Sequence, residues 1–337
     1  MNLKCVNLGK KAMLFLLCLA GINLTMQAKN DYPYTFNPMK GLVDDTEKAF
    51  RQEICLNGKW SFMPVYGAKA GDFKLPGDFK WDATPIKIPS PWNVNDFTNK
   101  QGGDFVAYPS YPKKWKDATI GWMKKDFEVS KEWGADKRII LHFEGLMGKA
   151  MIYVNGKLVA ENFELFMPLE IDVTDLIKSG GKNEVLVGIA KPKIFEEKGK
   201  NGRRVNVGGS MWGTEMAGIW QDVYLFAYPQ VYVQDMFVQP SVTKKTLAFE
   251  LEINNTTAKK KTVTIDGIVK QWINMAGKSI NEAPVQSGKL DEKVALAVAG
   301  QKKVVLNPNC VTKVRIEQPV ADGQLNYWTP STPHLYG

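Results

Sequence analysis

The sequence predicts an all-β protein built from two sandwich domains, and three observations predict it. Apolar residues recur with the two-residue period of strands, as in Arg138-Ile-Ile-Leu-His-Phe-Glu144. Asn155-Gly156 stands between two apolar runs and supplies the positive φ angles of a type I′ hairpin turn. No amphipathic stretch of three helical turns or more occurs. A length of 337 residues allows about two domains, and 44% hydrophobic residues is enough to bury cores.

In chain order, Lys4, Lys10 and Lys11 flank or precede the apolar run from Ala12 to Met26. That run is shorter than the roughly 20 residues of a membrane-spanning helix. The pattern is that of a secretory signal peptide, cleaved after Ala28, and predicts a periplasmic or extracellular protein. No later segment is apolar enough to span a bilayer. Strands are then expected at Leu56 to Met63, Ile86 to Ile88 and Ile120 to Val129. More follow at 138–144, on both sides of Asn155-Gly156, at 169–173, 183–190 and 218–226. Long loops separate them at 66–84, 89–118 and 191–212, and loops of this length are usually functional. At Tyr228-Pro229-Gln230 the texture changes to short strands at regular spacing, which suggests an immunoglobulin-like sandwich. The divisions expected are a leader at 1–28 and domains at 29–229 and 230–337.

The net charge is +9, and without the three leader lysines it is 41 basic against 35 acidic residues, or +6. The lysines are scattered over hairpin surfaces rather than gathered in a patch with stacking aromatics, which argues against nucleic acid as a partner. His142 and His334 are the only histidines, so a histidine-based metal site or catalytic triad is not expected. Beyond the leader, Cys55 and Cys310 are read as two buried free thiols, with a disulfide as the alternative.

Seven segments in order resemble one enzyme family. They are Leu56-Asn-Gly-Lys-Trp-Ser-Phe62, Ile88-Pro-Ser-Pro-Trp-Asn93, Gly121-Trp122 with Lys125 to Val129, and Leu141-His-Phe-Glu-Gly145 with Ile152-Tyr-Val-Asn-Gly156. Asp172-Val-Thr-Asp-Leu176, Gly218-Ile-Trp-Gln-Asp-Val-Tyr-Leu225 and Trp328-Thr-Pro-Ser-Thr-Pro-His-Leu-Tyr336 complete the set. The chain resembles the family 2 glycoside hydrolases, the β-galactosidase, β-glucuronidase and β-mannosidase group. The resemblance implies a jelly-roll, galactose-binding-like sandwich, then the immunoglobulin-like sandwich, then a (β/α)8 barrel. A barrel needs roughly 250 residues. The last segment falls just before Gly337, so the expectation is a chain without it. The family's two catalytic glutamates lie on that barrel, one acting as acid/base and the other as nucleophile. No catalytic residue is therefore assigned. The pairs Asn183-Glu184 and Asn281-Glu282 mimic the family's Asn-Glu acid/base motif but read as solvated surface. No cofactor or metal is implied.

What the resemblance leaves to this chain is contact with an oligosaccharide or polysaccharide, and support for a C-terminal barrel. Sugar recognition uses an aromatic face against the ring's CH side and polar groups for its hydroxyls. On the long loops the aromatic candidates are Trp92, Tyr108, Tyr111, Trp115 and Trp212, with packing as the rival reading for Trp92. Polar candidates are Glu215, with Asn93, Asn95, Asp96, Asp104, Arg203 and Arg204 as neighbours. Several family members carry an Asp-Gln-Asp segment shortly before the Gly-Ile landmark. Here Ser210-Met-Trp-Gly-Thr-Glu215 stands instead, and its acid does not match position for position. The expected function is the non-catalytic front of an exported family 2 glycosidase. The alternatives are a stand-alone carbohydrate-binding sandwich and a purely structural one.

Overall fold

The computed structural model describes residue 48 and residues 50–93, 111–134, 136–198, 204–205, 216–274 and 288–337. The leader expected at 1–28 lies outside them. The chain divides into two compact units, Met1–Ala227 and Tyr228–Gly337.

Strands of the first unit begin with β1 Gln52–Cys55, β2 Gly58–Tyr66, β3 Ile86–Ile88, β4 Ser90–Pro91 and β5 Ala118–Glu128. Next come β6 Lys137–Phe143, β7 Leu146–Met147, β8 Lys149–Val154, β9 Lys157–Asn162 and β10 Leu169–Asp172. The set ends with β11 Lys182–Ala190, β12 Glu197–Lys198, β13 Arg204–Val205, β14 Gly218–Ile219 and β15 Val223–Pro229. They form a six-stranded sheet in the order β3-β2-β5-β11-β8-β9 and a four-stranded sheet in the order β1-β15-β6-β10. The hairpin of β8 and β9 turns at Asn155 and Gly156, whose φ angles are 49° and 79°.

Strand alternation builds two cores. Trp60, Phe62, Met123, Val185, Val187 and Ile189 face the four-stranded sheet, which answers with Ile139, Leu141, Phe143, Ile171, Val223 and Leu225. The alternate residues Met63, Ile120, Trp122 and Leu186 face the other way. The long loop after β2 covers them with Phe73, Phe79 and Trp81. Two glycines make room for the rings. A Cβ on Gly121 would lie 2.7 Å from Phe62 and 2.9 Å from Trp92, and one on Gly188 would lie 2.6 Å from Trp122.

The second unit has β16 Val231–Ser241, β17 Thr246–Asn255, β18 Lys261–Asn274, β19 Gly288–Leu306, β20 Cys310–Pro319 and β21 Leu335–Tyr336. Two three-stranded sheets result, β16-β17-β20 and β19-β18-β21. Leu251, Ile253, Leu306, Val314 and Ile316 form one core cluster, and Leu247, Val269 and Leu296 another. Asn255 is fully buried and holds the turn after β17, with Nδ2 donating to the carbonyls of Lys259 and Asn307. Where short strands were expected, β19 is one strand of 19 residues whose register against β18 shifts at bulges.

Each unit is therefore a β-sandwich, and no (β/α)8 barrel is present among the described residues. No helix there is long and apolar enough to cross a membrane. Cys55 and Cys310 are both free thiols, as expected, but neither is fully buried: Cys55 is partly buried and Cys310 exposed.

Candidate functional site: the base of two long loops

The loops that carry the sugar-contact candidates start from a small sheet. Here β14 pairs with β4 on one side, Gly218 opposite Pro91, and with β7 on the other, Gly218 opposite Met147. Segment 94–110 leaves just after β4 and segment 206–215 arrives just before β14. Their bases are tied together. The Trp92 amide donates to the Ala217 carbonyl at 3.2 Å, and the buried Asn93 side chain accepts from the Ala217 amide at 3.5 Å.

The structure corrects three of the aromatic candidates. Trp92 is 1% exposed, Tyr111 4% and Trp115 0%. Rings so enclosed offer no face to a sugar. Trp115 packs on Phe62 at 4.3 Å between ring centres and stacks on Tyr111 at 4.9 Å. Its Nε1 donates to Asp82. The Tyr111 hydroxyl accepts from the Lys87 amide and donates to the Lys87 carbonyl. These residues belong to the core of the first sandwich. Asn93 is likewise buried. Tyr108, Trp212 and Glu215 lie outside the described residues, as do Asn95, Asp96, Asp104, Arg203 and the Arg204 side chain.

Next to the loop bases is a pocket of about 190 Å3, lined by Pro89, Ser90, Pro91, Glu144, Trp220, Gln221 and Asp222. Trp220 and Asp222 belong to the Gly218–Leu225 landmark and Glu144 to the Leu141–Gly145 one, and none of the three is among the sugar-contact candidates. The Trp220 indole lies against Gly145, where a Cβ would come within 2.7 Å, and its Nε1 donates to the Leu165 carbonyl at 3.2 Å. Asp222 is fully engaged: one oxygen accepts from Asn57 Nδ2 at 2.8 Å, the other from the Tyr224 hydroxyl at 3.1 Å. Burial, with the charge of Asp222 second, pushes the Tyr224 hydroxyl far above its ordinary range. The Glu144 carboxyl is also held above its usual value, first by burial and then by Asp222. One acid here is tied down as a structural acceptor. The arrangement was hidden because Asp222 and Glu144 come from different strand ends, brought together by a hydrogen bond that the Glu144 amide N–H donates to the Asp222 carbonyl at 3.0 Å.

The Asn-Glu look-alike at 183–184 is also placed. Glu184 pairs with Lys124 at 3.3 Å on the sheet surface. Asn183 is not solvated but 3% exposed. It accepts from Asn155 Nδ2 and the Lys178 amide and donates to the Lys178 and Gly181 carbonyls. Asn281-Glu282 lies outside the described residues. No group of three or more potential metal ligands occurs among the described residues.

Comparison with known proteins agrees with this anatomy. A β-galactosidase of Streptococcus thermophilus is 26% identical over 244 residues, covering 68% of this chain and 22% of the relative. A β-galactosidase of Pseudoalteromonas haloplanktis is 25% identical over 316 residues, covering 89% of this chain and 27% of the relative. The chain thus spans under a third of either relative's length. Among solved structures, a Bacteroides uniformis β-glucuronidase superposes with a TM-score of 0.58 at 24% identity, over 85% of this chain and 29% of its own. A glycosyl hydrolase family 2 member from Bacteroides cellulosilyticus gives a TM-score of 0.54 at 19% identity, over 84% and 33%. At such identities the structures testify to the fold. Residues 54–229 match the family described as glycosyl hydrolases family 2, sugar binding domain. The chain belongs to glycosyl hydrolase family 2.

Proposed function

We propose that the chain is the N-terminal, non-catalytic part of an exported family 2 glycoside hydrolase, which recognises carbohydrate and supports a catalytic barrel. The observation that carries this is the match of 54–229 to the sugar-binding domain, in a chain spanning only 22% and 27% of two β-galactosidases. In the longer enzyme the reaction is retaining hydrolysis of a terminal glycoside. Two barrel carboxylates about 5–5.5 Å apart carry it, and it demands no cofactor. The first domain supplies an oligosaccharide- or polysaccharide-facing surface. Tyr108, Trp212 and Glu215 stand on the two segments that leave the sheet of β4 and β14, and these three remain the proposed sugar contacts. The apolar run behind the leader lysines supports export to the periplasm or beyond.

Reading the source DNA past the codon for Gly337 tests this. The expected result is an open frame of several hundred codons with an Asn-Glu pair on a barrel strand. A stop codon there, with no barrel gene alongside, would overturn it.

A further inference from the structure

The pocket of about 190 Å3 beside the loop bases combines fixed apolar walls with spare polar groups. Trp220, Pro89 and Pro91 are its apolar walls. The indole is held in three ways. It lies against Gly145, donates from Nε1 to the Leu165 carbonyl, and meets Phe166 edge-on at 6.1 Å between ring centres. Its one polar atom is thus engaged, so it offers the pocket carbon surface only. Ser90 is 2% exposed, and its hydroxyl donates to the Pro91 carbonyl. Asp222 has its charge met by Asn57 and Tyr224, one bond to each oxygen. A carboxylate accepts about four bonds, so about two remain to it. Glu144 adds a second carboxyl. Gln221 is half-buried, and its side-chain amide has no hydrogen-bond partner among the described residues. A half-buried amide of this kind is completed by water or by a ligand. The lining holds no lysine and no arginine.

We infer that this pocket takes one neutral hexopyranose, the end residue of a glycan, with a CH face on Trp220 and hydroxyls on Glu144, Gln221 and Asp222. The inference rests on the carbohydrate reading above and adds to it a second place of contact, built wholly from described residues. Size agrees. A cavity of about 150 Å3 holds one benzene, so about 190 Å3 holds one six-membered ring with its hydroxyls and not two. An indole with a few convergent polar groups is the usual make-up of a sugar site. The charges narrow the choice further. Acceptors outnumber donors in the lining, and each sugar hydroxyl brings a donor. A ring bearing a carboxylate would meet two acids with no cation beside them. An ammonium would give up its water for Asp222, whose charge is already met.

Saturation-transfer NMR of the full chain with the methyl β-glycosides of glucose, galactose and mannose tests this. Glucuronic acid and glucosamine serve as the anionic and cationic counterparts. At least one neutral glycoside is expected to bind, and glucuronic acid to bind at least about tenfold more weakly. Gln221→Ala is expected to weaken the neutral sugar about five- to tenfold with Tm unchanged, since it removes hydrogen bonds and no core packing. Glu144→Gln keeps the shape and removes one charge, so it is expected to narrow the gap between neutral and anionic sugars to under about threefold. That second variant carries the test if Gln221→Ala fails to fold. Neutral binding untouched by Gln221→Ala, a gap that Glu144→Gln leaves as it was, or binding of glucosamine alone would overturn the assignment. The two readings fail separately. Glycan binding that survives Gln221→Ala but is lost on Trp212→Ala sinks this pocket alone, whereas no glycan binding at all sinks both.

Discussion

Gly121→Ala is the sharpest probe of how the first unit is packed. The added methyl would sit 2.7 Å from Phe62 Cε2 and 2.9 Å from Trp92 Cζ3. Neither ring can swing away, since Phe62 is 0% exposed and Trp92 1%. Overpacking a tight core costs about 1–3 kcal/mol, and two rigid rings on one methyl place the cost at about 2 kcal/mol or above. For a unit of this size that lowers Tm by about 4–8 °C. Calorimetry of the first unit's transition measures it, with Gly71→Ala as control, since nothing lies within 4 Å of a Cβ there. The control is expected to be neutral or stabilising by under about 1 kcal/mol, through the unfolded chain. Adding Trp92→Leu to Gly121→Ala makes the two losses sub-additive, because the smaller side chain yields to the methyl. A Gly121→Ala protein within about 0.5 kcal/mol of its parent would refute the packing of Trp92 against β5. The base of segment 94–110 would then lose its anchor.

Asn183→Ala removes four hydrogen bonds of a buried side chain and is expected to cost about 2–3 kcal/mol, whereas Glu184→Gln changes stability by under about 1 kcal/mol; urea titration checks both. Glu144→Gln is expected to raise Tm at pH 7 and leave it unchanged near pH 4, read by thermal melts across pH. Burial raises the folded carboxyl's value, so wild-type stability falls as pH climbs past the unfolded value of about 4.3, and the amide escapes that loss. Of Cys55 and Cys310, a thiol reagent labels Cys310 in the native protein. Cys55, which is partly buried and whose thiol burial holds above its usual range, is expected to react more slowly than Cys310, as peptide mapping over time would show.

What was legible in the sequence was local. Asn155-Gly156 announces its hairpin because the turn's φ angles are set by those two residues. The landmarks that carried the family resemblance are largely packing residues: Leu56, Trp60, Phe62, Ile88, Trp92, Trp122, Phe143 and Ile152 are all buried. They identify a fold, and a fold does not name a ligand. What failed was non-local. The run from 108 to 115 reads as an exposed aromatic loop, yet Trp115 is buried against Phe62, some fifty residues earlier in the chain, and Tyr111 is buried stacked on Trp115. Asn183 reads as surface beside Glu184, but its partners on Asn155, Lys178 and Gly181 draw it inside. The expected strand at 218–226 breaks into β14 and β15 because Asp222 is pulled aside by Asn57 and Tyr224.

The most direct test of the central claim exposes the purified chain to an array of immobilised glycans and, in parallel, to chromogenic β-glycosides. The account predicts saturable binding to some glycan and no hydrolysis above background. It further predicts loss of that binding on Trp212→Ala or Tyr108→Ala without change in Tm. Hydrolysis by the chain alone, or no binding to any glycan, would contradict it.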